Sequence, residues 1–162
     1  MCSSDLNSGA RQGHARAQAL DAVRGLVGAL AGGCDFTREI MLTAELGLGD
    51  TSLVEDAGGL AAMVLWHSAP LAEGRPKDEV RILKLAAREE RAFDTAIVAV
   101  EAAAARAGIR RVGVRCQTRY TGAFRRLIAR GYRVRWTDLR MTQDGYPEQP
   151  PAQGVLFSNW EI

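Results

Sequence analysis

Residues 79–114, with the sequence EVRILKLAAREERAFDTAIVAVEAAAARAGIRRVGV, carry the pattern that decides the fold of this 162-residue chain. Residues 79–87 are predominantly apolar and are predicted to form a strand. Apolar side chains then recur three or four residues apart at Phe93, Ile97, Val100 and Ala104. This stripe predicts an amphipathic helix over residues 88–107, which Gly108 ends, and a second strand is predicted over residues 110–117. The stretch therefore predicts a strand–helix–strand unit.

The first strand of this unit has two faces of different character. Successive side chains of a strand point to opposite faces of a sheet. We therefore expect Val80, Ile82 and Lys84 on one face, and Leu83 and Leu85 on the opposite face. This assignment places the lysine on the same face as the two β-branched residues.

Two helices are predicted near the start of the chain. Residues 10–30 have an apolar face at helical spacing, and Gly32 and Gly33 end that helix. A second helix begins just afterwards, where Asp35 or Thr37 can cap the exposed backbone amides of its first turn.

The remaining segments complete a sheet. Residues 51–66 predict two strands joined by a glycine-containing turn. Downstream, residues 120–130 predict a short helix, and residues 132–141 and 155–160 predict two further strands. The order of these elements indicates an α/β (α+β) fold, with a mixed, mostly antiparallel sheet and helices on both faces.

Composition limits the class of protein. Apolar residues make up 47% of the chain and charged residues 25%, which is typical of one compact globular domain, here residues 7–162. The apolar run at 57–66 is too short to cross a bilayer, so no membrane association is expected. The three scattered cysteines indicate reduced thiols in a cytoplasmic protein and no metal site. Residues 1–6 resemble a translated sequencing adapter, so we expect them to be non-native and the natural protein to extend upstream.

The two parts of the chain differ in charge. Residues 1–105 contain 10 basic and 15 acidic residues, whereas residues 106–162 contain 11 arginines and 4 acidic residues. Such asymmetry favours an anionic partner near the basic part. The alternative is a solvated arginine-rich surface, as in bacterial proteins from GC-rich genomes. Nucleic-acid binding is disfavoured because no known binding motif is present.

The ordered segments resemble the GNAT superfamily of acyl-CoA N-acyltransferases over residues 35–142. The hairpin at 54–66 and the segment at 80–87 resemble the strands that lead to the cofactor in that family. Residues 96–112 match the family's long helix, glycine and next strand, and residues 123–132 resemble the next helix and its Gly-Tyr end.

Within that superfamily, the chain is similar to a degenerate acetyltransferase-like group. The matching pieces are Asp35–Ile40, Leu48–Thr51, the loop Arg88–Phe93, Ala123–Leu127 and Asn159–Trp160. In such proteins the domain is often the second of two tandem copies. The resemblance therefore implies a tandem GNAT domain as a partner, and an edge strand near the C-terminus makes a homodimer the alternative.

The resemblance implies acetyl-CoA as cosubstrate. In the family, the strand matching 80–87 splays from its neighbour, here around Val112, and its unpaired backbone groups receive the pantetheine amides. The pyrophosphate rests on the N-terminus of the long helix. The cofactor-binding residues implied in this way are Lys84, Leu85, Ala86, Arg88, Arg91 and Ala92. Arg91 and Phe93 stand where the family has glycine and glycine or alanine, and acids at 89 and 90 flank the loop.

The catalytic residues are less well marked. Many family members have a tyrosine acid where this chain has Leu127. The catalytic candidates are Tyr120 as the acid and Glu79 as the base. Cys116 and His67 are weaker candidates for the acid and the base, and a purely structural role is the commoner alternative for each.

The predicted function is transfer of an acetyl group from acetyl-CoA to an amine of a small molecule or peptide. The alternative is a non-catalytic GNAT-like domain that binds a metabolite or packs against a tandem or homodimeric partner. The altered loop and the missing tyrosine favour this alternative.

Overall fold

A computed structural model of the chain describes residues 10–70, 72, 74, 76–139, 141, 143–145 and 150–158. Residues 1–6 and Asn159–Trp160 lie outside the described residues. Nine elements follow one another in the described part: α1 (Ala10–Leu30), α2 (Thr37–Glu45), β1 (Gly49–Asp56), β2 (Gly59–His67), β3 (Glu79–Ala87), α3 (Glu90–Arg106), β4 (Arg111–Val114), α4 (Thr121–Ala129) and β5 (Val155–Ser158).

Strand β3 lies at the centre of a five-stranded sheet. β1 pairs with β2, and β2 pairs with β3, in both cases antiparallel. The other edge of β3 is shared by two strands. β4 runs parallel to residues 79–82, and β5 runs antiparallel to residues 84–87. The predicted mixed, mostly antiparallel sheet is confirmed.

Each face of the sheet packs against helices. On one face, the apolar stripe of α3 lies in a core that also contains Ala123 and Leu127 of α4. On the opposite face, Val23 and Val27 of α1 and Ile40 of α2 form a second core with side chains of β2. The predicted helices on both faces are thereby confirmed, because the α3 stripe and the α1 face each bury apolar area against the sheet.

The second helix begins with a hydrogen bond that the sequence indicated. The carboxylate Oδ1 of Asp35 accepts a hydrogen bond from the backbone N–H of Thr37 at 2.9 Å. This bond satisfies one of the donors that the first turn of a helix leaves without a partner inside the helix.

The predicted faces of β3 are wrong for Lys84. Opposite β2, Leu65 pairs with Lys84 but Trp66 pairs with Ile82, so Leu83 is an extra residue in a β-bulge. The bulge reverses the alternation. Val80 and Ile82 therefore face the α3 core together with Leu85, whereas Lys84 faces the α1–α2 layer.

The strand predicted over residues 132–141 is also wrong for the residues that are described. Residues 132–139 and Met141 have no regular structure, and Val134 and Trp136 are more than half exposed. A strand needs an edge that satisfies its backbone groups. β2, β4 and β5 occupy both edges of β3, and no described strand pairs with this segment.

The apolar stripe of α3 gives a direct test of the fold. Phe93 is fully buried between the sheet and the helix layer, so we expect Phe93→Ala to lower the free energy of unfolding by about 3–5 kcal/mol. Val98 lies on the same helix but is 45% exposed. Val98→Ala should therefore change the free energy of unfolding by about 0.5 kcal/mol or less. Urea unfolding followed by circular dichroism measures both. Equal losses for the two variants would contradict this packing.

Candidate functional site

A fork in the sheet marks the candidate site. β4 accompanies β3 only as far as the pair Ile82–Val114, and the next pair on that edge joins Lys84 to Ser158 of β5. The bulge at Leu83 lies between them. The expectation that β3 parts from the strand around Val112 agrees with this geometry. The expectation of unpaired backbone groups is wrong, because β5 pairs with residues 84–87.

The segment that enters β5 lies tightly against the strand end. Gly154 has a φ of +80°, and a Cβ added there would overlap the carbonyl oxygen of Ala87 and lie 2.9 Å from that of Arg88. Glycine is required by both the backbone conformation and the close approach. The chain itself therefore covers the start of the predicted cofactor loop.

The predicted cofactor residue Arg88 binds the hairpin. Its Nε donates a hydrogen bond to the carbonyl oxygen of Leu60 at 2.8 Å, and one terminal nitrogen donates to that of Gly58 at 3.3 Å. Its backbone N–H donates to Ala61. In this conformation the guanidinium holds the turn between β1 and β2.

The first turn of α3 contains the other two loop residues. Ala92 is buried in the α3 core, whereas Arg91 is exposed. Glu89 is the residue at the N-cap position, and its side chain makes no capping hydrogen bond. Arg91 is therefore an exposed cation at this helix end.

An acid beside Arg91 is already paired with a cation. The carboxylate of Glu90 accepts a hydrogen bond from Arg126 of α4 at 2.5 Å, and the same guanidinium bonds Asp94 at 2.5 Å. A Cβ at Gly122 would overlap the Glu90 carboxylate, so that carboxylate lies close against the first turn of α4. Glu90 thus places negative charge where the resemblance puts a pyrophosphate.

These features test the fit of acyl-CoA. The β3 edge at residues 84–87 is paired, Arg88 is bound to the hairpin, and the N-terminus of α3 carries the Glu90 carboxylate. In this conformation the residues therefore do not fit an acyl-CoA molecule.

Lys84 is the most unusual side chain at the fork, because it is only 4% exposed. Its Nζ donates a hydrogen bond to Ser158 Oγ at 3.1 Å and lies 3.8 Å from Glu39 Oε1. The ammonium also lies 5.2 Å from the centre of the Phe36 ring. Burial lowers the pKa of Lys84, while the negative charge of Glu39 opposes that shift. Lys84 thus joins β3, β5 and α2.

The two catalytic candidates do not come together. Glu79 begins β3, and its carboxylate accepts a hydrogen bond from Arg135 at 2.8 Å. The Tyr120 ring packs edge-on against Phe157, at 5.5 Å between ring centres, and Phe157 pairs with Leu85. At about 3.3 Å per residue, the backbones of Glu79 and Leu85 lie about 20 Å apart. Tyr120 therefore borders the fork, and Glu79 lies at the far end of the strand.

The weaker candidates occupy structural positions. His67 Nε2 lies 2.8 Å from Thr43 Oγ1, and burial together with Arg81 lowers its pKa. Burial raises the pKa of Cys116 to about 11. A neutral imidazole and a protonated thiol are expected near neutral pH.

Several residues at the fork carry no sequence signal. Glu39, Phe36 and Ser158 approach Lys84 from distant parts of the chain, and the bulge that turns Lys84 toward them has no local sequence signal. Away from these residues, Tyr132 packs against the α3 core, and its buried hydroxyl has no hydrogen-bond partner among the described residues. Burial and the nearby Glu101 raise the pKa of this phenol. The Gly-Tyr pattern indicated its position but not its burial.

Comparison with known proteins identifies the fold. TTHA1254 from Thermus thermophilus is 19% identical, with a TM-score of 0.59 over 80% of this chain and 94% of that chain. Aminoglycoside N-acetyltransferase AAC(6')-Iy in complex with CoA is 15% identical, with a TM-score of 0.58 over 78% and 94%. AAC(6')-Ih from Acinetobacter baumannii is 11% identical, with a TM-score of 0.55 over 80% and 93%. No family model and no curated protein matches the chain. The GNAT-type fold is thereby confirmed.

The described residues contain neither of two further features. No helix there is long and apolar enough to cross a membrane. No three His, Cys, Asp or Glu side chains in the same residues are grouped as metal ligands.

The raised pKa of Cys116 predicts its reactivity. The thiolate is the reactive form, so Cys116 should react slowly with iodoacetamide at pH 8 and faster as the pH approaches 11. Cys34 is exposed and serves as the internal comparison. Peptide mass mapping of the alkylated chain should show Cys34 modified at least tenfold faster at pH 8. Equal rates at that pH would contradict the burial of Cys116.

Proposed function

We propose that the chain transfers an acetyl group from acetyl-CoA to an amine of a small molecule or peptide, after β5 has left β3. The fork at Ile82 and Lys84 is the observation that carries this proposal. Past that point β4 no longer accompanies β3, and the backbone of residues 84–87 pairs with β5 instead. An extended chain of amides is the kind of ligand that such an edge accepts.

The fold supports acetyl transfer as the reaction, without indicating the amine that receives the group. Structures of two aminoglycoside N-acetyltransferases share it, and one of them is a complex with CoA. Arg91 offers an exposed positive charge at the N-terminus of α3. A helix N-terminus and a cation both favour phosphate groups.

Tyr120 is the catalytic candidate that we retain beside the fork. Its ring borders the position of Phe157, so departure of β5 would bring it to the wall of the opened space. We propose Tyr120 as the acid for the leaving thiolate. Glu79 stays a predicted base, and its place in the fold does not support that role. Its carboxylate pairs with Arg135 at the start of β3, away from Tyr120 and the fork.

A second candidate function is a non-catalytic domain. The paired edge of β3 and the commitment of Arg88 to the hairpin favour it. Such a domain would bind a metabolite or pack against a tandem GNAT domain or a second copy. A sheet whose outer strand β1 pairs with β2 alone offers one edge for that packing.

Acetyl-CoA binding separates the two candidates. We expect acetyl-CoA at millimolar concentration to raise the melting temperature by mass action, and N-acetylated product to form from a panel of amines. Mass spectrometry of the amines detects the product. The transferase proposal is wrong if acetyl-CoA stabilises neither the wild-type chain nor a variant in which β5 is loosened.

Arg91→Glu tests the loop. A charge-assisted hydrogen bond is worth about 1.5–3 kcal/mol, so we expect acetyl-CoA affinity to fall roughly tenfold or more. Arg106→Glu, on the last turn of the same helix, is the matched control and should keep the affinity. Calorimetric titration measures both. Equal losses in the two variants would indicate a general charge effect instead of phosphate contact.

A further inference from the structure

The outer side of α2 presents apolar side chains to solvent. Met41 and Leu42 are each 41% exposed, and Leu46, the residue that follows the helix, is 62% exposed. Two charged residues, Arg38 and Glu45, are exposed on the same stretch of chain. We call these five residues the α2 face.

The α2 face lies on one side of the helix, opposite the residues that pack it into the domain. At 3.6 residues per turn, its five members fall within an arc of about 140° around the helix axis. Ile40 and Thr43 point the other way and are buried, and Ile40 packs in the core beneath α1. The packing of α2 in the domain therefore does not use the α2 face.

The apolar members of the α2 face form one group with charges beside it. Leu42 and Leu46 are neighbours one helical turn apart, and Met41 adjoins Leu42 in the chain. A surface helix usually turns polar residues toward solvent. A group of exposed apolar side chains rimmed by charged ones is instead typical of an interaction surface.

The two charges of the α2 face have no ionic partner in the domain. Within the part of the chain that the structure describes, neither Arg38 nor Glu45 forms an ion pair. By contrast, Arg24 on α1 pairs with both Asp21 and Asp35. The α2 face thus offers one free cation and one free anion.

The order of these charges is self-complementary. Arg38 lies three residues before Met41, and Glu45 lies three residues after Leu42. A second copy laid antiparallel, about an axis between positions 41 and 42, therefore opposes each Arg38 to the Glu45 of the other copy. The apolar residues meet at the axis, between the two ion pairs. Reciprocal contacts of this kind define a two-fold interface, and an apolar centre with a polar rim is its usual composition.

We propose that the α2 face is the contact surface between two copies of this chain, with α2 packed antiparallel against α2 about a two-fold axis. Its charges sum to zero, so it has no electrostatic attraction for an anionic membrane or a nucleic acid. A second copy supplies the matching charges, which a different domain would have to supply separately. The contact lies on the sheet face opposite α3, and it does not rest on the proposed acetyl transfer.

The size of the α2 face sets the strength of the dimer. α2 has nine residues, so two of these helices are expected to bury less than the roughly 1,200 Å² at the lower limit of stable interfaces. We therefore expect a weak, reversible dimer with a dissociation constant in the micromolar range. Sedimentation velocity of the full chain, from micromolar to millimolar concentration, measures it.

Two charge reversals test the pairing. Arg38→Glu and Glu45→Arg each place like charges opposite one another twice across the axis. Each variant alone should therefore dimerise roughly tenfold or more weakly than the wild type. Both variants should fold, because the helix dipole favours an acid in the first turn of α2 and a base in the last. Circular dichroism checks that they do.

An equimolar mixture of the two variants gives the sharpest result. One chain then carries two acids at these positions and the other carries two bases, so both ion pairs of a mixed dimer are complementary. Dimerisation should return to about the wild-type level in the mixture, and also in a chain that carries both reversals. Loss of the dimer in each variant without recovery in the mixture overturns the antiparallel pairing.

The apolar centre is tested separately. Leu42→Ala removes the side chain at the axis from both copies and should weaken the dimer roughly tenfold. Val98→Ala is the matched control, because Val98 is similarly exposed on α3, and Arg106→Glu on the last turn of α3 is the charge control. Both controls should keep wild-type dimerisation. A wild-type chain that stays monomeric at millimolar concentration overturns the proposal, and so does a dimer that survives every change in the α2 face.

Discussion

The domain depends on one requirement, that the backbone groups on both edges of β3 find partners in a buried sheet. β2 satisfies one edge over most of its length, and the other edge is divided between β4 and β5. An unpaired buried amide or carbonyl costs as much as a lost hydrogen bond, so neither neighbour can be removed without replacement. The division at the Leu83 bulge therefore assigns residues 79–82 to β4 and residues 84–87 to β5. Both helix layers pack against the strand that carries this division.

Much of the fold could be predicted because its signals are local. The helix stripe from Phe93 to Ala104 and the bounds of β3 follow from spacing in neighbouring residues, and the structure agrees with both. The fate of residues 132–141 could not be predicted in this way. Their alternation is compatible with a strand, but whether a strand forms depends on pairing with a distant strand, which the local pattern does not encode.

The candidate site was predictable only in outline. Arg88 lies next to β3 as the loop pattern predicts, yet its guanidinium contacts the hairpin carbonyls, a choice that depends on a turn some thirty positions upstream. Lys84 was assigned to the wrong face because one inserted residue in a strand reverses every side chain beyond it. Long polar side chains have many partners within reach, so their role is set by tertiary contacts and not by sequence spacing.

The position of β5 in the chain has a consequence for the order of folding. The Lys84–Ser158 contact joins residues 74 positions apart, whereas the bonds of the β1–β2 hairpin join near neighbours. Contacts of such long range close slowly and are expected to form late. Until they form, the edge of β3 at residues 84–87 is a bare strand edge that can pair with a strand of another molecule, so aggregation during refolding is expected to begin there.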